Sequence, residues 1–525
     1  MKTRTKLSLA GIIGVAASLG FGELMSGLIS SVSSPVTAIG ERLIDWSPPA
    51  LKDFAVTTFG TADKPALLIG TVIVALILGA AVGVWSYRRN WLALLVFFGF
   101  AIVGIVAGIQ SPLVDPAWTT VLGLIGGAVG YNALTYLQRL IASESPAVPV
   151  SAGLSTADPE SGPELTGTQV GASRREFLTA AGGIGAVAVA SGTLGRFAFG
   201  GGVSIDPATL AVPDAAGTLA APSPANMLSV PGITPIIVPN DQFYLIDTAL
   251  AVPRVDPASW SLRVNGMVDT ELELSLDDLK AFDLIEEYVT IACVSNPVGG
   301  PYVGNAKWTG VRLVEVLERA GVQNGATQIV GTSVDGWTAG FPTEAVFDGR
   351  EPLIALAMND EPLPAKHGFP ARLIVPGLYG YVSATKWLSE ITLTTWEGFD
   401  GYWVPRGWSK EGPIKTQSRI DVPTKDDPIS AGSTTVAGVA WAPLKGIDKV
   451  EVRVNGGEWI DAILSEPLSE KSWVQWRTDV PIAPGQALIE VRATDGEGYT
   501  QEENRVEPRP DGAEGFDAVV VQVTA

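Results

Sequence analysis

One cysteine and one histidine, with a few arginines and lysines around them, carry most of the chemistry open to this 525-residue chain. Cys293 stands where an apolar run, Val289-Thr290-Ile291-Ala292, passes into Val294-Ser295-Asn296-Pro297-Val298-Gly299-Gly300. A strand that runs out into a glycine-rich loop suits a ligand or a nucleophile. As the only cysteine it cannot close an internal disulfide, and no CxxC or Cys/His neighbours stand beside it to hold zinc or an iron–sulfur cluster. If Cys293 binds a metal, a cofactor must bring the other ligands. Taken alone, it is equally a small buried hydrophobe. The only histidine, His367, lies far outside the apolar N-terminal region, so no haem held between two histidines is expected there.

The elements that must position these groups live in two solvents. Mean hydropathy is +0.27, although 55 acidic residues face 35 basic ones for a net charge of −20. That acidic balance argues against nucleic acid as a partner. Five stretches, near 7–30, 65–87, 91–113, 118–140 and 177–197, reach the roughly 20 apolar residues that cross a bilayer. Lys2, Arg4 and Lys6, then Arg88-Arg89, then Arg139 mark the cytoplasmic ends, so the fifth stretch runs outward. It is preceded by Ser173-Arg174-Arg175-Glu176-Phe177-Leu178, which looks like a twin-arginine export signal placed internally or, more plainly, a pair of positive-inside arginines. Glu23 falls within the first span, where an ionisable residue either works or pairs between helices. The expected order is a four-helix transmembrane region at 1–140, a cytoplasmic linker at 141–172, the arginine motif and fifth helix at 173–197, and an extracytoplasmic linker at 198–229.

The remainder is read as a mixed α+β domain over 230–425 and a small β-sandwich of immunoglobulin type over 426–525. Trp260 to Gly266 is a strand ending in a glycine turn, Ser275 caps a short helix, and Val311 to Ala320 has one apolar face made by Leu313, Val316 and Leu317. The alternation in Lys449 to Val454 and Ala487 to Ala493 belongs to sheets with one buried face.

Three ordered motifs carry a resemblance. Cys293 to Gly300, followed by Gly304-Asn305-Ala306-Lys307-Trp308-Thr309-Gly310-Val311-Arg312-Leu313, resembles the molybdenum-ligating segment of the sulfite oxidase family of molybdopterin enzymes. His367-Gly368-Phe369-Pro370-Ala371-Arg372-Leu373-Ile374-Val375-Pro376-Gly377 and then Lys386-Trp387-Leu388 resemble its second signature, in the expected order. The terminal sandwich resembles its dimerisation domain. Together the likeness covers roughly 230–525, with the membrane part outside it.

The resemblance implies a molybdenum–molybdopterin cofactor with Cys293 as the protein ligand, a soft thiolate added to soft dithiolene sulfurs. It implies contacts to the pterin from Asn240 and Tyr244, with Ser333 close by. His367 and Arg372 would hold the pyranopterin and its phosphate, and Lys386 with the chain at Ser383 would complete the cradle. Trp308, Trp337 and Trp387 would line the funnel, and Arg406 would offer one positive group at its mouth. Sulfite-oxidising members use a tyrosine beside the metal and several arginines. Here Asp335-Gly336-Trp337-Thr338 stands near the place of that tyrosine, and the arginine expected near Asn240 is absent.

The expectation is a multi-pass plasma-membrane oxidoreductase, its catalytic part outside the cytoplasm, carrying out oxygen-atom transfer on a small sulfite-like oxyanion or sulfoxide. Electrons would pass to or from a separate cytochrome or quinone-linked protein, and dimerisation follows by analogy. Two other classes remain: a cofactor-free envelope binding protein on a degenerate pocket, and a transporter, which the sparse polar residues of the helices disfavour.

Overall fold

The computed structural model describes residues 2–29, 31–48, 62–143, 174–198, 210–212 and 214–525, with 51, 54, 58 and 59. Its contacts divide the chain into two units, Met1–Val203 and Ser204–Ala525.

The first unit is helical: α1 (Thr3–Leu28), α2 (Pro35–Trp46), α3 (Asp63–Trp85), α4 (Asn90–Gly108), α5 (Pro116–Ser143) and α6 (Arg174–Thr193), the last extended by a π turn over Leu194–Ala198. Five of them, α2 excepted, are long and apolar enough to cross a membrane. Ile73, Ile77, Leu95 and Val187 project outward, and close backbone packing joins the helices. A Cβ on Gly11 would collide with Gly79 of α3, one on Gly20 with Ala188, and one on Gly27 with Gly195. These glycines bring α1 against α3 and α6. Glu23 is paired between helices, accepting from Ser34 Oγ and lying 3.5 Å from Arg196 Nη1. The helix α2 was not expected. Ser34 caps it, accepting from Thr37 N at 3.2 Å, and Pro35 starts it, a signal that the search for long spans passes over. The expected linker over 141–172 begins inside α5, which runs on to Ser143, and its residues 144–172, with Ser173, lie outside the described residues.

The second unit is built on four sheets. Strands β1 (Ser261–Gly266), β2 (Leu272–Ser275), β5 (Gln328–Ser333), β6 (Thr338–Pro342) and β10 (Leu388–Thr394) form one, in the order β2-β1-β10-β5-β6. A second runs β3 (Ile285–Ala292), β4 (Val303–Arg312), β7 (Leu353–Met358) and β8 (Glu361–Pro362), with β9 (Arg372–Ile374) added on β7. Helix α7 (Leu276–Lys280) begins with the expected Ser275 cap, reciprocated by Asp278. Helix α8 spans Leu313–Ala320 and buries Leu313, Val316 and Leu317, while Val311 stays in β4.

The C-terminal part is two sheets enclosing a common core of Val436, Val450, Trp476, Ile489, Val491 and Val521. One sheet runs β11 (Gln417–Val422), β13 (Gly432–Trp441), β17 (Val474–Ile482) and β16 (Ile463–Leu464). The other runs β12 (Ile429–Ser430), β19 (Asp517–Thr524), β18 (Gly485–Asp495), β14 (Ile447–Val454) and β15 (Ile460–Asp461). The sandwich therefore starts at β11, earlier than the expected 426. Part of the expected 198–229 linker is also structured. Ala216 N donates to Leu284 O at 2.9 Å, Leu219 N to Glu286 Oε2 at 2.7 Å, and Tyr288 Oη to Ala220 O at 3.1 Å, so this segment follows β3.

Candidate functional site

Cys293 follows directly on the last residue of β3. Its N–H donates to Tyr302 O at 2.9 Å, one pairing beyond Ala292 opposite Val303, so the ladder fixes the cysteine before the chain turns away. Asn296 N donates back to Cys293 O at 3.0 Å, and Asn296 Oδ1 accepts from Tyr302 N at 2.8 Å. The turn is thus closed from both sides. Gly299 takes φ +74°, a left-handed backbone that a side chain would oppose. The thiol is buried, with Ser295 Oγ 3.0 Å from its sulfur. Burial pushes its pKa up, and the hydrogen bonds from Ser295 pull the other way. Among the described residues no group of three His, Cys, Asp or Glu stands where it could hold a metal ion.

His367 and Arg372 approach one another across a tight loop. Arg372 Nη1 donates to His367 O at 3.0 Å, and the guanidinium carbon lies 5.0 Å from the centroid of the fully buried Trp308 ring. Arg372 is only 4% exposed, yet its Nε has no hydrogen-bond partner and no carboxylate pairs with it among the described residues. Burial draws its pKa down to about 10, which still leaves it cationic near neutral pH. A buried cation without a counter-charge costs on the order of several kcal/mol. Lys386 reaches the same loop, with Nζ 2.6 Å from Asp247 Oδ2, 3.1 Å from Lys366 O and 4.9 Å from the Trp387 ring. Gly368, at φ +115°, makes the approach possible, because a Cβ there would stand 3.0 Å from the Lys386 backbone and 3.2 Å from Arg372 Cβ. Trp387 N closes the contact by donating to Gly368 O at 3.1 Å.

His367 Nε2 lies 2.7 Å from Asn240 O. A carbonyl can only accept, so Nε2 carries the hydrogen and, in the neutral ring, Nδ1 is the acceptor. Burial lowers the imidazole pKa to about 4, so the ring is neutral. Asn240 is held in turn: Nδ2 donates to Met358 O at 3.1 Å and Glu361 Oε2 at 3.0 Å, and Oδ1 accepts from Asn359 at 2.8 Å. Phe243 packs edge-on against both Trp308 and His367 and stacks on Tyr244 at 5.3 Å. Burial pushes the Tyr244 phenol up, the nearby Cys293 adds to that, and Arg372 pulls the other way.

Asn240, His367, Arg372, Lys386, Tyr244 and Cys293 are thus brought to one region. Ser333 sits beside it, opposite Leu388 in the β5–β10 ladder, with Val334 N bonded to Trp387 O at 2.8 Å. Ser383 and Arg406 are engaged elsewhere. Ser383 Oγ donates to Tyr379 O at 3.0 Å within its own short helix, so its hydroxyl is turned inward. Arg406 lies 3.7 Å over the Tyr402 ring and donates to Tyr402 O at 2.6 Å. Trp337 is half-buried in the β5–β6 turn, and Trp308 and Trp387 are core residues. Asn359, Asp247, Phe243 and Ser295 were missed. Asn359 alone had a local signal, a polar Asn-Asp pair after the apolar β7, and it takes φ +53° there.

A family model described as "Oxidoreductase molybdopterin binding domain" matches residues 249–403. An uncharacterised oxidoreductase of Bacillus subtilis (strain 168), YuiH, is 38% identical over 157 residues, which are 30% of this chain and 76% of that protein. Mitochondrial sulfite oxidase of Homo sapiens is 29% identical over 321 residues, taking in 52% of this chain and 58% of the human protein. The chain therefore spans a little over half the length of that relative. Among solved structures, the sulfane dehydrogenase SoxCD of Paracoccus pantotrophus aligns with a TM-score of 0.49 at 21% identity, over 58% of this chain and 88% of that one.

Proposed function

The chain belongs to the sulfite oxidase family of molybdopterin-dependent oxidoreductases, and from that premise we propose a membrane-anchored enzyme acting on a small oxygen-atom donor or acceptor outside the cytoplasm. The observation that carries the site assignment is Arg372, a buried guanidinium without a carboxylate partner and with Nε unsatisfied among the described residues. Such a group fits a phosphate, whose oxygens would supply both the missing charge and the missing acceptor.

The donor set fits the rest of a molybdopterin. Cys293 offers a single soft sulfur on a rigid turn, matched to a metal that brings other sulfurs with it. When bound, the cofactor supplies two-electron oxygen-atom transfer. Arg372 and Lys386 would hold the phosphate. The neutral His367 would offer Nδ1 to the pterin while Nε2 stays on Asn240. Tyr244 and Ser333 would contact the pterin, with Phe243 packed against Tyr244.

On the substrate side, Arg406 is stacked on Tyr402 and the Asp335–Thr338 turn contributes Trp337 where a sulfite oxidiser would place tyrosine. A sulfite dianion needs several convergent cations, so an uncharged oxygen donor such as a sulfoxide suits this mouth better. Five apolar helices support anchoring, and the arginine pair on the first turn of α6 supports export of the second unit. Electrons pass to or from a separate cytochrome or quinone-linked protein, and the sandwich serves as an immunoglobulin-type dimerisation module. The test uses the whole chain purified from cells with an intact cofactor pathway and an artificial redox dye. Molybdenum should be bound, and a sulfoxide should turn over faster than sulfite, with no turnover after Cys293→Ser. Protein without molybdenum would overturn the proposal, and faster turnover of sulfite would overturn the substrate assignment.

A further inference from the structure

We propose that Ser295 is a positioning residue that tunes the cofactor through the sulfur of Cys293, an inference that rests on Cys293 being the metal ligand. Ser295 Oγ lies 3.0 Å from Cys293 Sγ, within hydrogen-bond distance of the thiol. Between a free thiol and a hydroxyl either atom can donate. A metal-bound thiolate carries no proton, so in the loaded protein the hydroxyl must be the donor. The geometry that delivers it is built in. Val294 and Ser295 are the central residues of the turn closed by Asn296 N on Cys293 O, and Asn296 Oδ1 on Tyr302 N pins the far side. Because β3 fixes Cys293 N against Tyr302 O, sulfur and hydroxyl are both referenced to the same rigid strand end.

A hydrogen bond to a ligating sulfur withdraws electron density from it and so from the metal, which favours the reduced state. Hydrogen bonds to cluster sulfurs and around ligating thiolates shift potentials in this manner. Ser295 is half-buried, so the bond is partly shielded from competing water. Removing the hydroxyl should leave the thiolate a stronger donor and the metal harder to reduce.

The test compares Ser295→Ala and Ser295→Thr with the wild type, each as the full chain. Metal content is measured alongside the molybdenum midpoint potential and the sulfur-to-molybdenum charge-transfer absorption. Ser295→Ala should keep its molybdenum, shift the potential to a lower value and move the absorption to longer wavelength. Ser295→Thr, which keeps the hydroxyl, should restore both. An unchanged potential and absorption in fully loaded Ser295→Ala would overturn the proposal. Loss of molybdenum from Ser295→Ala would also overturn it, by assigning the side chain to the loop's architecture. Cys293→Ser separates the two claims: if it retains the wild-type charge-transfer absorption, the ligand assignment itself has failed.

Discussion

A guanidinium is rarely left buried without an anion, and among the described residues no carboxylate pairs with Arg372. Its cost in the cofactor-free chain is the reason it should bind phosphate strongly. We expect Arg372→Ala to lower molybdenum content about tenfold or more, since a charge-assisted bidentate contact is worth roughly 1.5–3 kcal/mol. Unchanged content would remove Arg372 from the cofactor site. His367 makes a second prediction. Its folded pKa, about 4, lies below the ordinary 6.5, so its contribution to stability is complete above pH 6.5 and is lost as pH falls towards 4. The slope in that window is about 1.4 kcal/mol per pH unit. Thermal unfolding of His367→Gln and wild type should therefore converge between pH 6.5 and 4. A gap independent of pH would show that the imidazole is not held neutral. At this scale Cys293 stood out because a strand-to-loop transition leaves a local signature, whereas His367 and Arg372 were singled out only by the family resemblance of their motif. Asn359 and Asp247 were not, because they meet Asn240 and Lys386 across 119 and 139 residues of chain.

At the level of elements, the strands that position the site are long or flanked by clear turns. Their pairing partners are what local pattern conceals. The polar run Gln417–Val422 does not announce a strand, and only its register with β13 puts it in the sandwich. The segment after 214 was taken for a tether because its composition is simple, yet three hydrogen bonds tie it to β3 and its neighbours. In the membrane unit, glycines do what large apolar residues do elsewhere. We expect Gly27→Leu to destabilise the α1–α6 contact, because its Cβ would meet Gly195 backbone, by about 1–3 kcal/mol in detergent unfolding. An unaltered unfolding curve would mean that the two helices do not pack through this pair. The arginines on the first turn of α6 carry a separate expectation. With Arg174→Lys and Arg175→Lys together, the catalytic unit should become inaccessible to protease added outside the cell membrane. Continued access would leave the pair as ordinary topological charges.

The whole molecule joins two solutions to two solvents. One unit exposes apolar side chains and closes its backbone in helices. The other buries a continuous core beneath the cysteine and arginine loops. The division was visible in hydropathy alone, whereas the hold of Tyr402 on Arg406 was not. The proposed function stands on the single thiolate at the end of β3 acting as the protein's ligand to molybdenum. X-ray absorption at the molybdenum edge, on wild type and on Cys293→Ser purified with the cofactor in place, reads that bond directly. The variant is expected to lose one sulfur from the metal's first coordination sphere while the cofactor's own sulfurs remain. An identical sulfur count in the two proteins would contradict it.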